Sequence, residues 1–150
     1  MKVWICAVLA CGLAMAASSG VDVYSTADLQ AMGQKLASKK QSFQSENLQR
    51  YPGHYTMMAY RSATGSSELH QHEADIFVVE SGDATLVTGG KIVNPHVEKP
   101  GEIRGSSIEG GERHAVATGD IIHIPANTPH QLLITNGKPF TYFVVKVTGQ

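Results

Sequence analysis

From His54 to Val147 the chain repeats one pattern, a short run rich in Val, Ile, Thr, Phe and Tyr followed by a glycine or proline turn. The runs are "HYTMMAY" at 54–60, "DIFVVE" at 75–80, "ATLVTG" at 84–89, "IIHIP" at 121–125, "QLLIT" at 131–135 and "FTYFVVKV" at 140–147. β-Branched and aromatic side chains suit a pleated, half-buried surface, and runs of this length read as strands. Their close spacing argues for an antiparallel sandwich or barrel and against alternating β and α units. The expected class is therefore all-β. One stretch is irregular, "VEKPGEIRGSSIEGGER" at 97–113, and reads as a long loop, with room for a short strand inside it, covering or flanking the mouth of the barrel.

The remainder of the chain is organised differently. Lys2 precedes the apolar run "VWICAVLACGLAMA", and Ala14 and Ala16 form an A-x-A arrangement. That order predicts a secretory signal peptide over 1–16, cleaved after Ala16, with the mature protein periplasmic or secreted and no longer attached to a membrane. Both cysteines, Cys6 and Cys11, fall inside the segment. The mature chain then has neither disulfide nor thiolate ligand, and about 130 residues must be stabilised by a core. A helix is predicted over 25–39, capped by Ser25 with Asp28 three residues on, and with Leu29, Met32 and Leu36 on one docking face. Residues 40–53 are polar and read as a connection, so the expected division is an N-terminal arm at 17–53 and a barrel domain at 54–150. Net charge is −1, and no basic run extends beyond Lys39–Lys40. A nucleic-acid partner is thereby disfavoured, leaving a small molecule or another protein, with a homodimer compatible.

Two segments carry chemistry. In "GSSELHQHEADIFVVESG", residues 65–82, His70 and His72 are two apart, which on a continuous strand points both imidazoles to one face, with Asp75 returning beside them. In "GDIIHIPANTPH", residues 119–130, a turn delivers His130 at the start of the next strand. The pair resembles the two motifs of the cupin superfamily. The first is a glycine, a His-x-His pair, an acidic residue, then six residues and a glycine, and Asp75 to Gly82 keeps the last interval. The second is a glycine, five residues, Pro-x-Gly, two residues and a histidine, and Gly119, Pro125 and His130 keep those intervals. The resemblance covers about 54 to 147. It departs in three places: Asp75 replaces a glutamate and stands closer to His72 than usual, Asn127 replaces a glycine, and the interval between the motifs is long.

The resemblance implies a cupin-type antiparallel β-barrel (jelly-roll) with a short N-terminal helix. It also implies a divalent first-row metal held by His70, His72 and His130, with Asp75 as fourth ligand or as a partner orienting a histidine. Imidazole and carboxylate suit iron, manganese, nickel, zinc or copper. Candidate catalytic acid–base residues are His123 and His114, against the plainer reading of hydrogen-bonded strand histidines. Met57, Tyr60, Phe77, Leu132, Tyr142 and Phe143 are candidate pocket walls, and Arg61 and Arg104 are cations able to clamp a carboxylate. The functional expectation is a metal-dependent enzyme acting on a small molecule, most simply an oxygenase. A lyase, isomerase or hydrolase using the ion as Lewis acid, and a non-catalytic binding barrel, remain alternatives.

Overall fold

A computed structural model describes residues 20–135 and 137–150, so the expected signal peptide at 1–16 lies outside the described residues. One helix, α1 (Thr26–Ala37), precedes the strands β1 (Phe43–Tyr51), β2 (His54–Arg61), β3 (Ser67–His70), β4 (Glu73–Ser81) and β5 (Asp83–Thr88). There follow β6 (Lys91–Val93), β7 (His96–Lys99), β8 (Glu102–Gly105), β9 (Ser107–Glu109), β10 (Glu112–Ala117), β11 (Ile121–Ile124), β12 (His130–Leu133) and β13 (Phe140–Thr148). A five-stranded sheet has the order β1-β2-β13-β4-β11, and a six-stranded sheet has the order β10-β5-β12-β3-β8-β7. β6 and β9 form a separate ribbon. The described ladders are all antiparallel.

Alternation along the strands decides what lies between the sheets. β13 buries Phe140, Tyr142, Val144 and Lys146, and β4 buries Asp75, Phe77 and Val79. Leu86, Val116, Ile124, Leu132 and Ile134 join Phe77, Val79, Phe140, Tyr142 and Val144 in one apolar cluster. The inward series of β4 and β13 thus run from apolar residues into Asp75 and Lys146. That change of character separates a filled half of the sandwich from a cavity. The turn after β4 needs Gly82, whose φ is 87° and where an added Cβ would overlap the Pro139 carbonyl.

The helix packs against the five-stranded sheet as its apolar stripe predicts. Ser25 and Asp28 form a reciprocal capping box, Leu36 is buried, and Gly33 lies so close that a Cβ would sit 3.0 Å from Thr141 Cγ2. Two expectations are corrected. Residues 40–53 are largely β1, an edge strand paired with β2, and not a mere connection. Residues 97–113 are not a long loop: they form parts of β7 and β10 with β8 and β9 between, and β8 pairs with β3 along its length. The segment does flank the cavity, through Glu98, Lys99, Glu102 and Arg104, but as sheet.

Candidate metal centre

β3 ends at His70 because the chain must pass there from the six-stranded to the five-stranded sheet. Gln71 and His72 form the bend, with Gln71 N donating to Gly101 O and the His72 carbonyl accepting from Gly149 and Gln150. Strand alternation is interrupted, and His72 is exposed. The predicted convergence of His70, His72 and His130 is therefore corrected. The residue sharing a face with His70 lies two positions before it, Glu68, and Glu68, His70 and His130 form a compact donor group. The expected His-x-His pair is Glu68-x-His70. Measured from His70, the interval to Asp75 contains four residues, so the closeness of Asp75 to His72 has no bearing on the centre.

β12 brings in His130, whose Cα partner is Glu68 on β3. The turn before it is tied down by Asn127, which adopts φ 59° and donates its backbone N–H to His70 O at 2.8 Å and its side-chain amide to Gln71 O at 3.1 Å. Asparagine thus serves where the cupin pattern has glycine, because it tolerates left-handed backbone and adds a hydrogen bond. β4 supplies Asp75.

His70 Nε2 lies 3.5 Å from Glu68 Oε2 and 3.5 Å from Asp75 Oδ2. His130 Nε2 lies 3.9 Å and 3.6 Å from the same oxygens. Donors sharing a transition ion at about 2.0–2.2 Å stand roughly 3–3.5 Å apart, so each of these four distances is within a small rotation of that range, and Glu68, His70 and His130 are close to one another as a group. Both imidazoles are oriented from behind. His130 Nδ1 donates to Thr128 O at 3.0 Å, and His70 Nδ1 lies 2.6 Å from Glu102 Oε2. Each contact fixes Nε2 as the nitrogen offered to the cluster, the arrangement that orients metal-bound histidines. His130 Nε2 is buried with no hydrogen-bond partner. A buried lone pair left unmatched is costly, and a cation is the partner it fits. The residues present therefore suit a divalent ion with nitrogen and oxygen ligands.

Charge in the cluster is closely matched. Burial would raise the Glu68 carboxyl, but His70, Arg61, His130 and Arg104 together hold it well below the ordinary range. Burial likewise opposes ionisation of Asp75, and His70 and Lys146 outweigh it. His130 is pulled down by burial, against the Glu68 and Asp75 carboxylates. His70 is pushed up to about 9, burial being outweighed by the Asp75 and Glu68 carboxylates. Its Nε2 is also 2.7 Å from Lys146 Nζ. Arg61 Nη2 meets Glu68 Oε1 at 2.7 Å, and Arg104 Nη1 meets Glu68 Oε2 at 2.5 Å. The two arginines do clamp a carboxylate, and it is the chain's own.

Glu68, His70, Asp75, Lys146 and the two arginines line one end of a cavity of about 390 Å³, with Tyr55, Met57, Ala59, Phe77, Tyr142 and Val144 among the other walls and His130 buried behind them. Among the expected wall residues, Leu132 belongs to the core, while Tyr60 and Phe143 face the helix side: Tyr60 lines a groove with Leu29 and Gly33, and Phe143 packs on Tyr24. His114 and His123 do not reach this cavity. They line a separate cleft between β10 and β11, where His114 Nε2 is 3.1 Å from Thr88 Oγ1 and His123 is exposed. Their candidacy as acid–base residues for this centre is withdrawn, because alternation on β11 turns His123 away from Ile124 and the core. Three residues that build the cluster were not anticipated, Glu68, Lys146 and Glu102. Phase on the strand was the available signal: Glu68 is two residues from His70, and Lys146 is two from Val144 in the series Phe140, Tyr142, Val144.

Two facing antiparallel sheets with a donor cluster at one end give this chain a fold of the cupin-barrel kind, shared with solved structures. No family model and no curated protein matches the sequence. Solved structures do. A cupin 2 conserved barrel domain protein from Salinispora arenicola superposes with a TM-score of 0.50 at 19% identity, covering 70% of this chain and 75% of that one. DMSP lyase DddQ from Ruegeria pomeroyi gives 0.51 at 17% identity, covering 74% of this chain and 49% of that one. A protein described as FeII HppE gives 0.52 at 13% identity, covering 71% and 52%. This chain spans about half the length of the latter two.

Proposed function

We propose that the protein is a metal-dependent cupin enzyme acting on a small molecule, with a divalent first-row ion held by His70, His130 and Asp75 and flanked by Glu68. The observation that carries this reading is the buried, unpartnered Nε2 of His130, fixed in direction by the Nδ1–H bond to Thr128 O. Two arginines already engage both oxygens of Glu68. The strongest donors are then two imidazoles and one carboxylate, a set that suits non-haem iron and oxygenase chemistry. Such an ion, once bound, would supply the redox chemistry for O₂ and an electron-rich substrate. The chain supplies the rest: Met57, Ala59, Phe77 and Val144 give the cavity an apolar wall that limits water, and Arg61 holds Tyr142 and Glu68 in place. The cavity volume suits a small ligand.

Lewis-acid chemistry is the second reading, favoured by one contact. Tyr55 Oη donates to Glu73 Oε2 at 3.1 Å inside the same cavity, an acid–base pair of the kind a lyase or isomerase requires. The neighbours include proteins described as a lyase and as an iron(II) protein, so the fold is compatible with both. Metal analysis of protein purified from its native compartment, followed by oxygen uptake with candidate substrates, decides between them. Iron with substrate-dependent uptake supports the oxygenase. A redox-inert ion with turnover and no uptake supports the lyase or isomerase. Protein that takes up no metal under loading conditions defeats both.

A further inference from the structure

The least expected feature of the cluster is Lys146. It sits on the inward face of β13 and is 8% exposed. Its Nζ lies 2.6 Å from Asp75 Oδ1, an ion pair outside good hydrogen-bond geometry, and 2.7 Å from His70 Nε2. Those two atoms belong to residues that would hold an ion. His70 Nε2 can face Lys146 Nζ or a metal, but not both at once. Asp75 presents the same choice: its side chain is 2% exposed, and a carboxylate so buried needs a positive partner. Arg61 and Arg104 are committed to Glu68, with Arg104 also on Glu98 at 3.0 Å, so Lys146 is the non-histidine cation within reach of Asp75.

We propose that Lys146 is an internal competitor for the metal centre, an ammonium that shares Asp75 and His70 with the ion and must be displaced for the ion to bind. This rests on the metal reading above. The lysine can yield because its charge is carried on a flexible four-carbon stem beside the cavity, whereas a guanidinium would need a planar, two-pronged partner. Displacement costs the same whichever divalent ion enters. Lys146 therefore lowers affinity for all of them together, and leaves the centre to ions that imidazole binds strongly.

The test is direct binding of cobalt(II), zinc(II) and manganese(II) to chelator-treated protein, by competition with a chromophoric chelator, for wild type, K146M and K146R. K146M should bind each ion more tightly by a similar factor, on the order of tenfold or more, since it removes a like charge from the site. Its ion-free form should melt below the ion-free wild type, because Asp75 loses its partner. K146R, which keeps a cation, should not gain affinity. Unchanged or weaker binding by K146M with a native circular dichroism spectrum overturns the proposal, as does an equal gain in K146R or a gain confined to one ion. If neither wild type nor K146M binds any of the three, the metal reading itself falls and the proposal with it. If wild type binds and K146M binds no better, only the proposal falls.

Discussion

At the scale of single residues, His70, His130 and Asp75 differ from His72 in one physical respect. Their polar atoms are buried against one another, while the His72 side chain lies on a bend in solvent. Replacing His70, His130 or Asp75 by alanine should therefore lower bound metal sharply in metal analysis of purified protein, and His72→Ala should leave it within error. A loss in H72A equal to that in H70A would contradict the assignment. Glu68 makes a different prediction. It neutralises Arg61 in a setting where both side chains are at most 16% exposed, so Glu68→Gln leaves a buried cation short of its partner. Urea denaturation should show a loss of about 3 kcal/mol, larger than for an exposed pair. The sequence did show where these residues would gather. The intervals around Asp75, Gly82, Gly119 and His130 pointed to the correct strands, because turns fix spacing. It did not show which neighbour of His70 shares its face. That depends on where β3 stops, and a bend at Gln71–His72 is set by the crossing between sheets, which no local residue preference encodes.

Among the elements, those that were legible bury an apolar face. β4, β5, β12 and β13 alternate or run apolar, and α1 has a capped start and an apolar stripe, so each is visible in a single sequence. β1 and β7 to β10 were not. β1 is "FQSENLQRY", whose side chains are at best half-buried, and β7 is exposed throughout. Such strands are held by ladder hydrogen bonds to a neighbour, and that pairing leaves little trace in composition. The docking of α1 gives a test at this scale. Leu36 is 1% exposed where the helix meets the sheet, whereas Leu29 on the same stripe is only half-buried. Leu36→Ala should cost about 3 kcal/mol and Leu29→Ala no more than about 1 kcal/mol in chemical denaturation. Equal costs would mean that the helix is not anchored through its last turn.

For the whole molecule, the sandwich is closed at one end by packing and open at the other onto the cavity. No helix among the described residues is long and apolar enough to cross a membrane. Export with cleavage after Ala16 is proposed from the leading segment, and mass spectrometry of the exported protein should find Ala17 or a near neighbour first; a mass retaining Met1–Ala16 would refute it. The metal centre bears on the two sheets jointly. Glu68, His70 and His130 stand on the six-stranded sheet, and Asp75 on the five-stranded one. An ion shared by the two sets would join the sheets at the end the apolar core does not reach. Binding to the folded form alone stabilises it by about 2.7 kcal/mol when free ion is a hundredfold above its dissociation constant. For a domain of this size that is a rise in melting temperature on the order of 10 °C. The gain should also be local. Hydrogen exchange should slow at β3, β12 and the cavity ends of β4 and β13, around Asp75 and Lys146. Amides beside Phe140 and Val79, already packed in the core, should change little beyond the global shift. A melting temperature that does not move with zinc(II) or cobalt(II), or protection that rises only far from the cavity, would show that the cluster does not bridge the sheets through an ion.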